Sequence, residues 1–252
     1  MLEKEIYNRK REEAVTKAKN EQLRANLLRS ISHDLRTPLT SISGNVAILL
    51  NNEEAFDKEK RRQLYTGIYD DSMWLINLVE NLLSVTRLEE SSMRLNMQVE
   101  LVDEVIEEAL KHISRKREEH QLVYEPSEEL LLAKMDSRLI VQVLINLVEN
   151  AIKYTQEGSR IEISAVQKGD MIQISVADNG KGIKEDAKEK IFDMFYTAEN
   201  KPADSRRGLG LGLFLAKSII HAHGGIIWVT DNVPSGTIFS FTLQAEEVTI
   251  SE

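Results

Sequence analysis

Ser32-His33-Asp34-Leu35-Arg36-Thr37-Pro38-Leu39 lies in a run whose apolar residues decide the architecture of the first part of the chain. Leu35, Leu39, Ile42, Val46 and Leu49 follow the alternating four-three spacing of a coiled seam. At about 100° per residue those side chains gather on one helix face. His33 then falls roughly 160° away, on the face turned to solvent. Thr37, one turn on, lies beside it. A neutral imidazole facing solvent next to a carboxylate suits a nucleophile or a proton-transfer group better than a core role. Taken alone, it also reads as an ordinary surface histidine. Pro38 has no N–H to give to the carbonyl of Asp34, which predicts a kink beside the histidine.

Working outward, residues 1–51 read as one long helix, charged at first and then amphipathic, broken at Asn51-Asn52-Glu53-Glu54. A second helix is expected over 57–90, where Leu64, Ile68, Asp71, Leu75, Leu78, Leu82 and Val85 repeat the four-three spacing. A two-helix hairpin cannot bury its seam alone, whereas two copies make a four-helix bundle. A homodimer is therefore the physical expectation, the alternative being that the hairpin packs on the C-terminal half of the chain.

From Ser91 to Gln98 the pattern changes. Helices are expected over 102–118, 136–154 and 211–223, and strands at Ile161–Val166, Met171–Ala177, Ile226–Thr230 and Thr237–Leu243. That order predicts an α/β sandwich, with helices on one face of a mostly antiparallel sheet. The fold class is thus α plus α/β, a helical hairpin followed by an α/β domain. Glu199 to Arg207, nearly free of apolar residues, reads as a loop.

The 252 residues are 42% hydrophobic, enough for one large domain or two modest ones. With no cysteine, disulfides, zinc–thiolate sites and cysteine nucleophiles are excluded, which fits a reducing compartment. A formal charge of −9 argues against nucleic acid as the main partner. No apolar run reaches the roughly 20 residues needed to cross a bilayer, and no secretory leader is visible. The chain opens in a charged helical stretch, Met1 to Asn26, as a piece of a longer membrane protein would.

Three further stretches carry chemistry. In the helix over 136–154, Asn146, Asn150 and Lys153 cluster away from the apolar side. Amide oxygens can ligate magnesium and a lysine can meet phosphate, although solvated polar residues would look the same. Asp178-Asn179-Gly180-Lys181-Gly182-Ile183 follows a strand rich in β-branched residues. Its glycines allow close ligand approach, and its aspartate can accept from an adenine amino group; by itself it is also an ordinary turn. Gly208-Leu209-Gly210-Leu211-Gly212-Leu213 opens a helix whose N-terminal N–H groups can meet a phosphate. It lacks the preceding strand and distant acid of a dinucleotide fingerprint, and no Walker-type Gly-Lys-Ser/Thr element is present. His112, His120, His221 and His223 stand at no metal-ligand spacing and read as structural.

The joint order of these stretches is more specific than any of them. Ser32 to Leu39 resembles the H box of bacterial two-component sensor histidine kinases. Asn146-Leu-Val-Glu-Asn150-Ala-Ile-Lys153-Tyr154 is similar to their N box, Asp178-Asn-Gly180-Lys-Gly182 to the G1 box, and Phe192-Asp-Met-Phe195 to the F box. Gly208 to Gly212 resembles the G2 box, and Pro234-Ser-Gly236-Thr237 the last glycine motif. The H-box helix and the N box resemble in particular the potassium-uptake sensor kinases of the KdpD type.

This resemblance implies a dimerisation and phosphotransfer hairpin over about 1–92, followed by an ATP-binding domain over about 97–252 of the fold shared with gyrase B, MutL and heat-shock ATPases. It implies an ATP-dependent protein-histidine kinase that phosphorylates His33 and passes the group to an aspartate on a response-regulator receiver domain. Phosphatase activity on that regulator is expected as well. His33 would be the phosphoacceptor, Asp34 its general base, and Thr37 the residue that places water during dephosphorylation. Asn150 and Asn146 would hold Mg2+. Lys153 and Arg207 would meet phosphates, and Tyr154 would pack on adenine while Asp178 reads its amino group. Gly180, Gly182, Phe195, Gly208, Leu209, Gly210, Leu211, Gly212 and Thr237 complete the nucleotide set, with residues 196–210 as a lid. The location implied is cytoplasmic, as in the cytoplasmic part of an inner-membrane sensor. The rival from another class is a nucleotide-gated chaperone-type ATPase module, which would lack the seam-opposed histidine.

Overall fold

The computed structural model of the chain describes residues 35–51, 56–89, 95–113, 119–127, 129–194, 196 and 210–246. They divide into two compact units, the boundary between them lying at Glu80. His33, Asp34 and the kink expected beside them lie outside the described residues.

Residues 35–51 form helix α1 in the first unit, and helix α2 spans Lys58–Glu89, its residues up to Glu80 belonging to that unit. The break expected at Asn51-Asn52-Glu53-Glu54 falls largely on residues outside the described set. The Asn51 amide donates to the Ala47 carbonyl at 2.9 Å. Asp57 Oδ1 accepts the Lys60 N–H at 2.7 Å, the contact by which an aspartate caps the start of a helix. Leu49 and Leu78 are buried, and so is Pro38. Leu35, Ile42, Leu64, Ile68 and Leu75 are half-buried, while Leu39 is 53% exposed and Ile76 49%. Gly67 lets the helices approach closely, since a Cβ there would lie 3.2 Å from the Asn45 side-chain nitrogen.

In the second unit, strands β2 (Gln121–Tyr124), β4 (Arg160–Lys168), β5 (Met171–Asp178), β6 (Ile227–Asp231) and β7 (Thr237–Gln244) form one sheet. Its order is β2-β4-β5-β7-β6. Only β2 and β4 run parallel. Strands β1 (Gln98–Leu101) and β3 (Leu132–Met135) make a separate antiparallel ribbon, joined to the end of β7 by a bridge between Ala133 and Ala245. Helices α3 (Val102–His112), α4 (Ser137–Tyr154) and α5 (Gly212–Ala222) complete the unit. The four expected strands and three expected helices are all present. The sequence reading missed β1, β2 and β3, each only four residues long. Helix α3 ends at His112, and residues 114–118 lie outside the described set.

Alternation along the strands sorts the two faces. Ile172, Ile174 and Val176 of β5, Ile161 and Ile163 of β4, and Phe239, Phe241 and Leu243 of β7 enter the core. There they join Ile140, Val143, Leu144 and Leu147 of α4 and Leu215, Ile219 and Ile220 of α5. The other face is polar. Ser164, Ser175, Ser240 and Trp228 stand opposite one another across four strands. The Ser175 and Ser240 hydroxyls hydrogen-bond at 2.9 Å.

His223, just past α5, has the structural role expected of it. Its Nδ1–H donates to the Ile219 carbonyl at 2.8 Å, and its Nε2 accepts the Asp136 N–H at 3.0 Å. The buried ring thus ties the end of α5 to the start of α4. The following Gly225 is pressed against β7, and a Cβ there would lie 2.0 Å from the Thr242 carbonyl oxygen. Neither backbone can give way without breaking the sheet edge. Gly225→Ala is therefore expected to lower stability by at least about 1–3 kcal/mol, the usual cost of overpacking. Urea denaturation followed by circular dichroism measures it, and an unchanged midpoint would contradict the close approach.

Candidate functional site

Strand β5 ends in Asp178, whose side chain is buried. Its Oδ1 accepts the N–H of Gly180 at 2.8 Å and the N–H of Thr237 at 3.2 Å. Its main-chain carbonyl accepts the Asn232 amide at 2.7 Å. Burial pushes the carboxyl above the ordinary aspartate value, while the Gly180 and Thr237 peptides and the Thr237 hydroxyl pull part of the way back. A carboxylate has about four lone-pair positions, so there is acceptor capacity left for an incoming N–H donor. Such a donor would also offset part of the desolvation that the fold leaves uncompensated.

Glycines make this corner possible. Gly236 has φ +122°, and a Cβ there would lie 1.9 Å from the Asp178 carbonyl oxygen. Gly182, at φ +74°, faces the Gly236 carbonyl, 3.2 Å from where its Cβ would be. A Cβ on Gly180 would stand 2.9 Å from Asp178 Oδ1 and 3.0 Å from the Thr155 methyl. The 178–182 turn, the 232–237 loop and the end of α4 therefore meet with no room for side chains on the near side.

Helix α4 links this corner to α5. The Asn146 amide donates to the Gly212 carbonyl at 3.3 Å, and its Oδ1 lies 3.5 Å from where a Gly212 Cβ would be. Ahead of that contact Gly210 has φ +67° and Leu211 is buried. The Leu211 carbonyl accepts the Leu215 N–H at 2.8 Å, which starts α5. One turn along α4 from Asn146 comes Asn150, half-buried. Lys153 follows, its Nζ 5.1 Å from the centroid of the Tyr154 ring, and that ring is 56% exposed.

The helix that carries the polar triad thus touches, from its middle, the peptides opening α5 and, at its C-terminal end, the turn around Asp178. An acceptor, an exposed aromatic face, two amides, a cation and a helix N-terminus fit a purine nucleotide and its phosphates. Among the described residues no cluster of three or more His, Asp or Glu gathers as for a metal. A divalent cation here would rest on the amide oxygens of Asn150 and Asn146 and on the phosphates of its own nucleotide.

Of the residues expected from sequence, Asn146, Asn150, Lys153, Tyr154, Asp178, Gly180, Gly182, Gly210, Leu211, Gly212 and Thr237 lie in the second unit as described. Thr37 is half-buried on α1. His33, Asp34, Phe195, Arg207, Gly208 and Leu209 lie outside the described residues, as does most of the expected lid. Phe192 is buried edge-to-face on Phe239, ring centroids 6.2 Å apart, with Lys217 Nζ 5.7 Å from its own ring. The sequence reading missed Asn232, which holds the Asp178 carbonyl, and Thr155, whose methyl crowds Gly180.

The burial of Asp178 has a consequence for stability. Its folded-state pKa is raised, so the folded chain holds the proton to higher pH than the unfolded chain does. As pH rises from the ordinary value of 3.8 through the raised one, this group loses stability for the ligand-free fold. An amide oxygen can keep both peptide donors without the charge. Asp178→Asn is expected to match wild type near the ordinary value and to gain on it as pH rises, with a plateau above the raised value. Denaturation midpoints of both proteins across pH 4–8 check this, and parallel curves would refute it.

Residues 23–91 match the His Kinase A (phospho-acceptor) domain, and residues 135–247 match the histidine kinase-, DNA gyrase B- and HSP90-like ATPase family. The sensor protein KdpD of Clostridium acetobutylicum is 43% identical over 245 residues, covering 97% of this chain and 27% of that protein. The chain therefore spans 27% of the length of that curated relative. Among solved structures, the Acinetobacter baumannii histidine kinase AdeS superposes with a TM-score of 0.64 at 27% identity, over 85% of this chain and 98% of that one. Histidine kinase ThkA, solved in complex with the response regulator protein TrrA, gives 0.61 at 28% identity, over 88% and 61%. A phospho-acceptor domain and an ATPase domain of this class, matched in that order along one chain, place the protein in the family of sensor histidine kinases.

Proposed function

We propose that this chain uses ATP and Mg2+ to phosphorylate His33, and that it passes the phosphoryl group to an aspartate on a response-regulator receiver domain. The observation that carries the proposal is the buried, peptide-held carboxylate of Asp178, on the same chain as a matched phospho-acceptor domain that includes His33. A nucleotide-gated chaperone-type module would share the first feature and lack the second.

When bound, Mg-ATP supplies the γ-phosphoryl group and a counter-charge for it. In this reading the residues of the chain bind, orient and move one proton. Asp178 accepts from the adenine amino group, and Tyr154 covers the base. Asn150 and Asn146 hold the cation, Lys153 and Arg207 meet phosphates, and the peptides opening α5 receive the phosphate end. Asp34 shares the Nδ1 proton of His33, which leaves the Nε2 lone pair to attack phosphorus. One N–P bond forms, and the bond from phosphorus to the oxygen bridging to the β-phosphate breaks, with its electrons leaving on ADP.

The same proposal includes a homodimer, a domain boundary between 92 and 97, and a cytoplasmic location as part of a membrane-anchored sensor. The exposed apolar faces of α1 and α2 support the dimer, because a second copy would take them out of water. No helix among the described residues is long and apolar enough to cross a membrane.

Two measurements test this reading. With ATP labelled on its γ-phosphate, wild type should gain label that survives alkali and is lost in acid, as for a phosphoramidate. His33→Gln should gain none while still binding nucleotide, and persistent labelling of that variant would move the acceptor elsewhere. Thr37→Ala should autophosphorylate and transfer normally yet dephosphorylate its regulator slowly, because the hydroxyl orients a water against the aspartyl phosphate. If Thr37 only supports the helix ahead of Pro38, both rates and the melting temperature fall together instead.

A further inference from the structure

The 232–237 loop contributes more to the Asp178 corner than the glycine motif at its end. The loop closes on itself where the Asn232 N–H donates to the Gly236 carbonyl at 3.0 Å. The Asn232 side chain uses both halves of its amide: Oδ1 accepts the Val233 N–H at 2.9 Å, and Nδ2 donates to the Asp178 carbonyl at 2.7 Å. The first contact fixes which way the amide points, so its NH2 group must face Asp178. At the neighbouring position, Asp231 is paired with Lys188 at 2.8 Å, and Lys188 also reaches Glu185 at 2.5 Å. The loop is thereby pinned to the segment that follows the Asp178 turn. At its far end, the Thr237 N–H returns to Asp178 Oδ1 at 3.2 Å.

One loop therefore grips Asp178 twice, by its main chain through Asn232 and by its carboxylate through Thr237. These contacts lie on either side of the Asp178 side-chain torsions. Together with the Gly180 peptide they leave the carboxylate one direction in which to present its remaining acceptor positions. We propose that Asn232 is a positioning residue for base recognition: its amide holds the Asp178 main chain so that the carboxylate faces the exocyclic amino group of adenine. The inference rests on the reading that Asp178 accepts from adenine.

Asn232→Asp keeps the shape but sets a carboxylate oxygen against the Asp178 carbonyl oxygen, turning attraction into repulsion. Asn232→Ala removes the contact without adding a charge. Adenine carries an amino group where hypoxanthine carries an oxygen, so the ratio of ADP to IDP affinity reports the direction of the Asp178 carboxylate. General damage to the loop lowers both affinities alike and leaves their ratio unchanged.

The experiment is calorimetric titration of ADP and of IDP into the full chain as wild type, Asn232→Asp, Asn232→Ala and Asp178→Asn, with a thermal melt of each. The proposal expects the ADP/IDP affinity ratio to fall at least five-fold in Asn232→Asp and by a smaller factor in Asn232→Ala. If Asn232→Asp fails to fold, the ratio in Asn232→Ala alone decides. A wild-type ratio in the folded Asn232 variants, alongside a collapsed ratio in Asp178→Asn, overturns the role of Asn232 and leaves the adenine reading standing. An unchanged ratio in Asp178→Asn overturns the adenine reading and the proposal with it.

Discussion

The Asp178 carboxylate is out of water before any ligand arrives, and the α/β unit is organised around that fact. Desolvating a charged group costs several kcal/mol unless donors replace the water. Here the replacements are two peptide N–H groups and a threonine hydroxyl. Supplying them requires the β5 turn and the start of β7 to approach within backbone contact. Gly236 is the residue that permits it, with its φ of +122° and no space for a Cβ. The sheet order follows the same need, since β7 lies directly beside β5 and delivers Thr237 to the strand end.

A second constraint acts through α4. Its apolar side is anchored among the strands and α5, which fixes the rotation of the helix about its axis. The polar residues on the rest of its circumference are then fixed as well, and Asn146 falls against Gly212 without further support. His223 fastens the opposite end of α5 to the residue before α4. Helix α5 is thus tied to α4 at both of its ends, by one side-chain amide from the middle of α4 and by one imidazole that meets the start of α4. A shift of either helix must disturb the peptides that open α5.

Much of this was legible in the sequence where local pattern and final structure coincide. The apolar period of α4 is long and regular, so Asn146, Asn150 and Lys153 could be assigned to one face. Asp178 stood out because it ends a β-branched strand and is followed by glycines. Strands β1, β2 and β3 are too short for a period of two to register, and their partners lie far along the chain. Asn232 was hidden for a related reason. Beside Pro234 it has the composition of a turn, and its target lies 54 residues away. Local chemistry announces a turn but does not say what the turn holds.

The row of Ser164, Ser175, Ser240 and Trp228 across the open face of the sheet separates two kinds of work. Ser175 and Ser240 are buried and bond to each other, and Trp228 beside them is half-buried, so the row itself exposes little apolar area. Nine of the fifteen large apolar side chains described as exposed belong instead to α1 and α2. Exposed apolar area among the described residues is thus concentrated on the two helices, while the closest backbone approaches gather around Asp178. Sequence drift at the exposed helix positions can proceed without touching the contacts that hold the Asp178 corner together.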